Sequence, residues 1–372
     1  VDTISENTVA NGVTIDGVNI KDGTITGANL GRKNYIINGN FDIWQRGTSL
    51  TGQTASNFLA DRWEAIPSGA TYSYQQGTFT VGQTDVPNNP KYFANYTITG
   101  ADDAFRFQQA IEDVNTLAGE TITISFWAKY TTNAPTNFLT VVSQNFGSGG
   151  STEVSTTFAS GQTLTTSWQK FTVTGTLPSI SGKTVGTSSY VHIKPFYNTN
   201  NEIFDVQIAQ VQVEKGSVAT DFERQHPGDI LLQCRRYFHK VTIWHGTYAT
   251  FPSGFCTGNG NGTGTARMTY EDPSMQNFRT SPTTTLETTN NTSGSYRIFR
   301  LHDNSSNDSQ TVQSVGFDLV EWFDGATNHG LCQMTILWGT SATTGNFTNQ
   351  AHYRINSIAN SPKVRVLLDA EL

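Results

Sequence analysis

The side chains best suited to chemistry in this chain are aromatic and polar residues that alternate along two extended segments. In residues 121–130, Ile122, Ile124, Phe126 and Ala128 fall on one face of a strand, leaving Thr123, Ser125, Trp127 and Lys129 on the other. Residues 190–196 repeat the split, with Val191 and Ile193 inward and Tyr190, His192, Lys194 and Phe196 opposite. An outward ring beside hydrogen-bonding side chains is what sugar recognition requires. The ring covers the apolar C–H patch of a pyranose while Lys, His, Asn or Gln bonds its hydroxyls. Trp127, Lys129 and His192 are therefore candidate carbohydrate contacts. A competing reading packs Trp127 against a neighbouring domain, a loop or another subunit, since tryptophan is a mostly buried residue.

Catalytic patterns are sparse. Asp102-Asp103, Glu112-Asp113 and Glu271-Asp272 are adjacent acids, but neighbours on a strand point opposite ways, and a glycosidase needs two carboxylates facing one bond. His239 and His245 lack zinc-protease spacing, and no Gly-x-Ser-x-Gly elbow is present. The glycine-rich run 258–265 lacks the Lys-Ser/Thr ending of a phosphate loop and reads as a loop. The expectation is a protein that is not an enzyme, although acids on separate strands or subunits would escape this search. Cys234, Cys256 and Cys332 are widely spaced and odd in number, so no disulfide framework follows, which suits folding in a reducing cytoplasm. A net charge of −7 argues against a nucleic-acid partner. No run of about 18 apolar residues offers membrane insertion.

The elements that must carry these residues are strands. Charged residues make up 14% of the chain, against about 25% in typical soluble domains, while Thr, Ser, Asn and Gly are abundant. Thr favours strands, and Gly and Asn favour the turns between them. With 372 residues the chain exceeds one ordinary core, and four segments are expected. Residues 1–33 repeat a short alternating unit closed by Gly, and the apolar stripe of Val13, Ile15, Val18, Ile20 and Ile25 would pack on copies from other chains as a β-repeat stalk; a flexible linker is the competing reading. Residues 34–224 form a β-sandwich domain. Residues 225–240 hold a short linking helix with Asp229 as N-cap and Ile230, Leu231, Cys234, Tyr237 and Phe238 on its apolar side. Residues 241–372 return to short strands with long polar loops, a second β-sandwich. Its loops 257–265 and 302–310 can vary without disturbing the strands, which suits a recognition surface, with Trp244, His245 and Tyr248 as nearby carbohydrate contacts.

The segment 34–49, NYIINGNFDIWQRGTS, closed by Ala60-Asp61-Arg62-Trp63, resembles the opening signature of bacteriophage tail-fibre domains. Ser125-Phe126-Trp127-Ala128-Lys129, Ser167-Trp168-Gln169-Lys170-Phe171, the phrase 211–220 and the ending Leu368-Asp369-Ala370-Glu371-Leu372 extend the resemblance over most of the chain from Asn34. Its middle phrases are similar to carbohydrate-binding jelly rolls outside phages. The resemblance implies an all-β fold with a jelly-roll sandwich at 34–224, a homotrimer, other phage tail proteins as partners, and a place in the virion tail after assembly in the host cytoplasm. It implies a fibre that adsorbs to a bacterial surface glycan, the alternatives being a tail-spike glycan hydrolase or a purely structural fibre segment. No cofactor is required, but such jelly rolls often carry a structural calcium, and Asn40, Asp42, Asp205 and Glu214 lie in the matching stretches.

Overall fold

The computed structural model describes residues 33–100 and 104–240 together with Asp369 and Glu371, and elsewhere the strand spans named below. The chain divides into two compact units, Val1–Asp42 with Thr48–Gln225, and Ile43–Gly47 with His226–Leu372.

In the first unit, β1 (Val13–Ile15), β2 (Val18–Lys21) and β3 (Thr24–Thr26) form an antiparallel meander, so the short repeats are strands. The expected packing of their apolar stripe on other chains lies outside the described residues. Twelve further strands follow: β4 (Ser49–Gln53), β5 (Asn57–Phe58), β6 (Glu64–Pro67), β7 (Thr71–Thr78), β8 (Tyr92–Gly100), β9 (Phe105–Glu112), β10 (Thr121–Lys129), β11 (Phe138–Asn145), β12 (Val154–Gln162), β13 (Gln169–Thr176), β14 (Tyr190–Asn198) and β15 (Asp205–Lys215). They make two antiparallel six-stranded sheets, β13-β10-β15-β8-β7-β4 and β12-β11-β14-β9-β6-β5. Chain neighbours such as β9 and β10 lie in different sheets, which is the sandwich solution for strands with one apolar face.

Ile122, Ile124, Phe126 and Ala128 of β10 are all buried on the inner face, as alternation predicts. Tyr72, Tyr74, Ala94, Tyr96, Val206 and Ile208 join them from the first sheet, against Phe105, Phe107, Val142, Val191 and Ile193 from the second. The segment carrying the fibre resemblance is part of this core. Phe41 and Trp63 sit 5.4 Å apart, and Trp63 stacks on Phe107 at 4.4 Å. Asn38 adopts φ 58° and accepts the Trp63 Nε1–H on its carbonyl at 3.0 Å. A Cβ at Gly39 would meet the Val211 carbonyl at 2.1 Å, so only glycine lets this turn lie against β15.

Two β-bulges change which residues face outward. Pairing of β14 with β9 and with β11 shifts register around Lys194-Pro195, where proline has no N–H to give a ladder. The extra residue turns Phe196 inward, where it is buried and stacks on Phe138 at 4.8 Å. The sequence expectation that Phe196 shares the outer face with His192 is thereby corrected. In β15 a shift at Gln210, with φ 48°, moves the inward set from Val206 and Ile208 to Val211 and Val213.

The second unit contains α1 (Pro227–Arg235). Its N-cap is His226, whose Nδ1 accepts the Gly228 N–H at 3.1 Å. Asp229, expected as the cap, lies in the first turn, because Pro227 has the fixed φ favoured at N1 and starts the helix earlier. Ile230 and Cys234 are buried as expected, but Phe238 already opens β16 (Phe238–Ile243). The remaining strands are β17 (Gly254–Gly258), β18 (Gly264–Tyr270), β19 (Thr283–Thr288), β20 (Tyr296–Arg300), β21 (Gln310–Thr311), β22 (Gly316–Leu319), β23 (Cys332–Leu337), β24 (His352–Ser357) and β25 (Val364–Asp369). They join in orders β16-β25-β19 and β21-β20-β24-β17-β18-β23-β22. A segment from before the sandwich completes this unit. Arg46 Nη2 reaches Asp369 Oδ2 at 3.0 Å and Glu371 Oε1 at 3.4 Å, with its guanidinium 3.6 Å above the Phe238 ring.

Candidate functional site

Trp127, Lys129 and His192 do not meet. Trp127 and Lys129 project from the outer face of the β10 sheet, His192 from the outer face of the β14 sheet, and the two sheets pack through their opposite faces. Alternation placed Trp127, Lys129 and His192 on outer faces, although it failed at Phe196, and it cannot say which sheet a strand joins.

On the first sheet Trp127 is half-buried, opposite Lys170 and Ala209. Lys129 Nζ lies 5.4 Å from the Trp168 ring centre, and Trp168 contacts Phe79 at 5.1 Å and Phe93 at 5.4 Å. Phe93 lies across Gly77, where a Cβ would stand 2.0 Å from its ring. These rings form a small aromatic patch that fastens the turn before β13 to β8. Thr123 and Ser125, expected to face outward with Trp127, are buried. Thr123 Oγ1 bonds Thr174 Oγ1 and donates to the Gly216 carbonyl at 2.8 Å, so a following segment covers this end of the sheet.

The outer face of the second sheet is polar and deep. Gln108 of β9 is only 3% exposed, yet it points away from the core. Its Nε2 donates to Glu64 Oε2 at 2.9 Å and approaches His192 Nε2 at 3.2 Å. Its Oε1 is buried with no hydrogen-bond partner. Burial, and then the neighbouring Lys194 charge, push the His192 imidazole down to about 3, so the ring is neutral at pH 7 and its Nε2 accepts from Gln108. Lys194 is 8% exposed and donates to Ser143 Oγ at 2.6 Å; Ser143 pairs with Ser155 Oγ at 2.8 Å. Burial pushes Lys194 below the usual lysine range, helped by Arg106 and partly offset by Glu153. Glu153 in turn accepts from Asn145 Nδ2 at 2.9 Å. Half-exposed Tyr190 lies against His192 with ring centres 4.5 Å apart, and half-exposed Arg106 and Tyr197 continue the face. This face thus brings together a buried, unpartnered acceptor, cations and a tyrosine ring. Sequence reasoning found His192 but missed Gln108 and Arg106, because their neighbours come from strands distant in the chain.

The proposed calcium set does not converge. Asp205 and Glu214 stand near opposite ends of β15, nine residues apart and so on the order of 30 Å along an extended strand. Asp205 instead binds a turn: it accepts from Thr131 N and Oγ1, Thr132 N at 2.8 Å and Asn133 N at 2.6 Å. Burial would raise that carboxyl, but the Asn133, Thr131 and Thr132 bonds outweigh it and hold it below the usual range. Glu214 accepts from Gln212 Nε2 at 2.8 Å and from Thr220 N at 3.0 Å. Asn40 and Asp42 are joined to each other, Asn40 Nδ2 donating to Asp42 Oδ2 at 3.0 Å, and burial raises Asp42. Among the described residues no group of three His, Cys, Asp or Glu side chains is placed to hold a metal ion. Trp244, His245 and Tyr248 lie outside the described residues, as do most of the loop residues expected to vary. Among the described residues no helix is long and apolar enough to cross a membrane.

No family model matches the chain, and no curated protein matches it. Among solved structures it is similar to the CBM22-1–GH10 modules of a Clostridium thermocellum xylanase complexed with xylohexaose, at 12% identity and TM-score 0.32, over 51% of this chain and 30% of that one. A CBM22-1 xylan-binding domain from Paenibacillus barcinonensis matches at 11% identity and TM-score 0.31, over 46% of this chain and 94% of that domain. The enzymatically active domain of tailspike protein 4 from bacteriophage CBA120 matches at 16% identity and TM-score 0.28, over 49% of this chain and 21% of that one. This chain therefore spans less than a third of the length of the xylanase modules and of the tailspike domain. Identities and scores this low transfer no function.

Proposed function

We propose that the protein is a non-catalytic, homotrimeric tail-fibre protein that holds a bacterial surface glycan in the cleft on the outer face of the β14 sheet. The observation that carries the binding assignment is Gln108: an almost fully buried amide, outside the core, whose Oε1 has no donor. A buried acceptor without a partner is unfavourable, and a sugar hydroxyl supplies the missing donor. Neutral, partly exposed His192 adds hydroxyl-bonding capacity, and Tyr190 offers an apolar face beside it. Assembly in a phage tail rests on the sequence resemblance that begins at Asn34. Non-catalysis rests on the sequence, whose adjacent acids do not form a pair facing one bond.

The test is binding to surface polysaccharide purified from susceptible cells. Gln108→Leu should weaken binding about tenfold, the worth of one well-placed polar contact in a buried site, and lower stability by about 1–3 kcal/mol because Glu64 and His192 lose its donor. New reducing ends released from the polysaccharide would instead establish a hydrolase. The half-exposed Trp127 beside Lys129 and Trp168 favours a second reading, a site on the first sheet. Binding that follows Trp127→Ala and ignores Gln108→Leu would move the site there.

A further inference from the structure

We infer that the glycan held on the β14 sheet is acidic, its carboxylate seated between Lys194 and Arg106 while a neighbouring hydroxyl donates to Gln108 Oε1. This rests on the glycan-binding reading above and adds the charge class of the ligand. Three observations carry it. Lys194 is a nearly buried cation whose hydrogen bond goes to a neutral hydroxyl, Ser143 Oγ, and no carboxylate among the described residues forms an ion pair with it. The nearest acid acting on it, Glu153, is engaged by Asn145 and Ser155. Arg106 is half-buried, and no described carboxylate pairs with it either. Arg106 stands opposite Tyr197, and the Pro195 bulge lies between Tyr197 and Lys194, so the two cations are diagonal neighbours on adjacent strands. Such neighbours have Cα atoms on the order of 7–8 Å apart, a gap a planar carboxylate can bridge.

Two like charges on one desolvated face oppose each other, and Glu153 offsets Lys194 only in part, without an ion pair to it. Structural ion pairs elsewhere in the chain are closed, as Arg46 with Asp369 and Lys215 with Glu120 show. The open cations therefore mark a place for an anion from outside. Arg106 offers the fork geometry that suits a carboxylate, and Lys194 adds a point charge. The adjacent orphan acceptor on Gln108 requires a hydroxyl donor, which a simple inorganic anion lacks. A hexuronate or another carboxyl-bearing sugar supplies both groups on one ring.

The experiment screens the full chain against an array of bacterial surface oligosaccharides, each printed in its acidic form and after reduction of its carboxyl groups to alcohols. Hits should be confined to the acidic forms, weaken at least tenfold on carboxyl reduction, and weaken as salt is raised. Lys194→Met, which keeps volume while removing a buried charge, should lower affinity for acidic forms tenfold or more. Arg106→Gln, at a half-exposed position, gives the same reading if the first variant folds poorly. Equal binding to acidic and reduced forms, indifferent to both variants, would overturn the acidic assignment and leave the glycan site standing. Absence of any hit across the array would overturn this inference together with the glycan-binding reading beneath it.

Discussion

His192 is where the cleft can be interrogated one proton at a time. Its imidazole titrates near 6.5 when unfolded and at about 3 in the fold, because burial and the Lys194 charge disfavour the cation. Between those values the unfolded chain holds the extra proton. Stability from this group is therefore full above about pH 6.5 and is lost as pH falls toward 3. At about 1.4 kcal/mol per pH unit, acidification from pH 7 to 4.5 should cost about 2–3 kcal/mol through His192 alone. Urea unfolding of wild type and His192→Gln at both pH values measures this, and the variant should lose less stability on acidification. Side chains of this kind were only half legible in the sequence. His192 and Lys194 declared their outward direction by alternation, but the depth that makes them unusual comes from β9 and β11, which contribute Gln108 and Ser143 from 84 and 51 residues away. The residues named for calcium lie apart for the related reason that a resemblance places residues on segments and not at a common point.

Among the elements, β14 shows what periodicity can miss. A period of two places Phe196 outside with His192, and a single proline reverses it. If Phe196 is core, Phe196→Ala should destabilise the first unit by about 3–5 kcal/mol, the range for deleting a buried phenyl ring. An outer Phe196 would give well under 1 kcal/mol in the same denaturant titration. By contrast β10 was readable in full on its inner side, since Ile122, Ile124, Phe126 and Ala128 need no partner strand to define their face. Helix α1 was readable in its buried residues Ile230 and Cys234, while its start was displaced because a proline at the first helical position outranks an acid two residues later.

At the level of the whole molecule, the two units are not consecutive stretches of chain, since residues 43–47 belong with the second. Nothing in composition or spacing announces this exchange. Arg46→Ala should destabilise the second unit by about 2–4 kcal/mol, because Glu371 is left nearly buried without its cation. Arg46→Lys should recover little, since an ammonium cannot lie flat on Phe238 while reaching two carboxylates. Differential scanning calorimetry with two resolved transitions separates these effects from the sandwich. The proposed trimer predicts light scattering of about three chains per particle at low concentration, on the closed symmetry expected of such assemblies. A persistent monomer would remove the avidity by which three weak sites on one rigid body act together.

The bond between Arg46 and Asp369 also sets an order of events during synthesis. Its partners are 323 residues apart, so at roughly 5–20 residues per second Arg46 waits on the order of 16–65 s for the strand that completes it. Through that interval the sandwich residues between them have all left the ribosome and can fold, whereas the second unit lacks its final strand. A nascent chain released early by a frameshift or a stop codon in this region would carry a finished sandwich attached to an unfinished second unit, with Arg46 lacking Asp369 and Glu371 and with β16 and β19 lacking the strand that joins them.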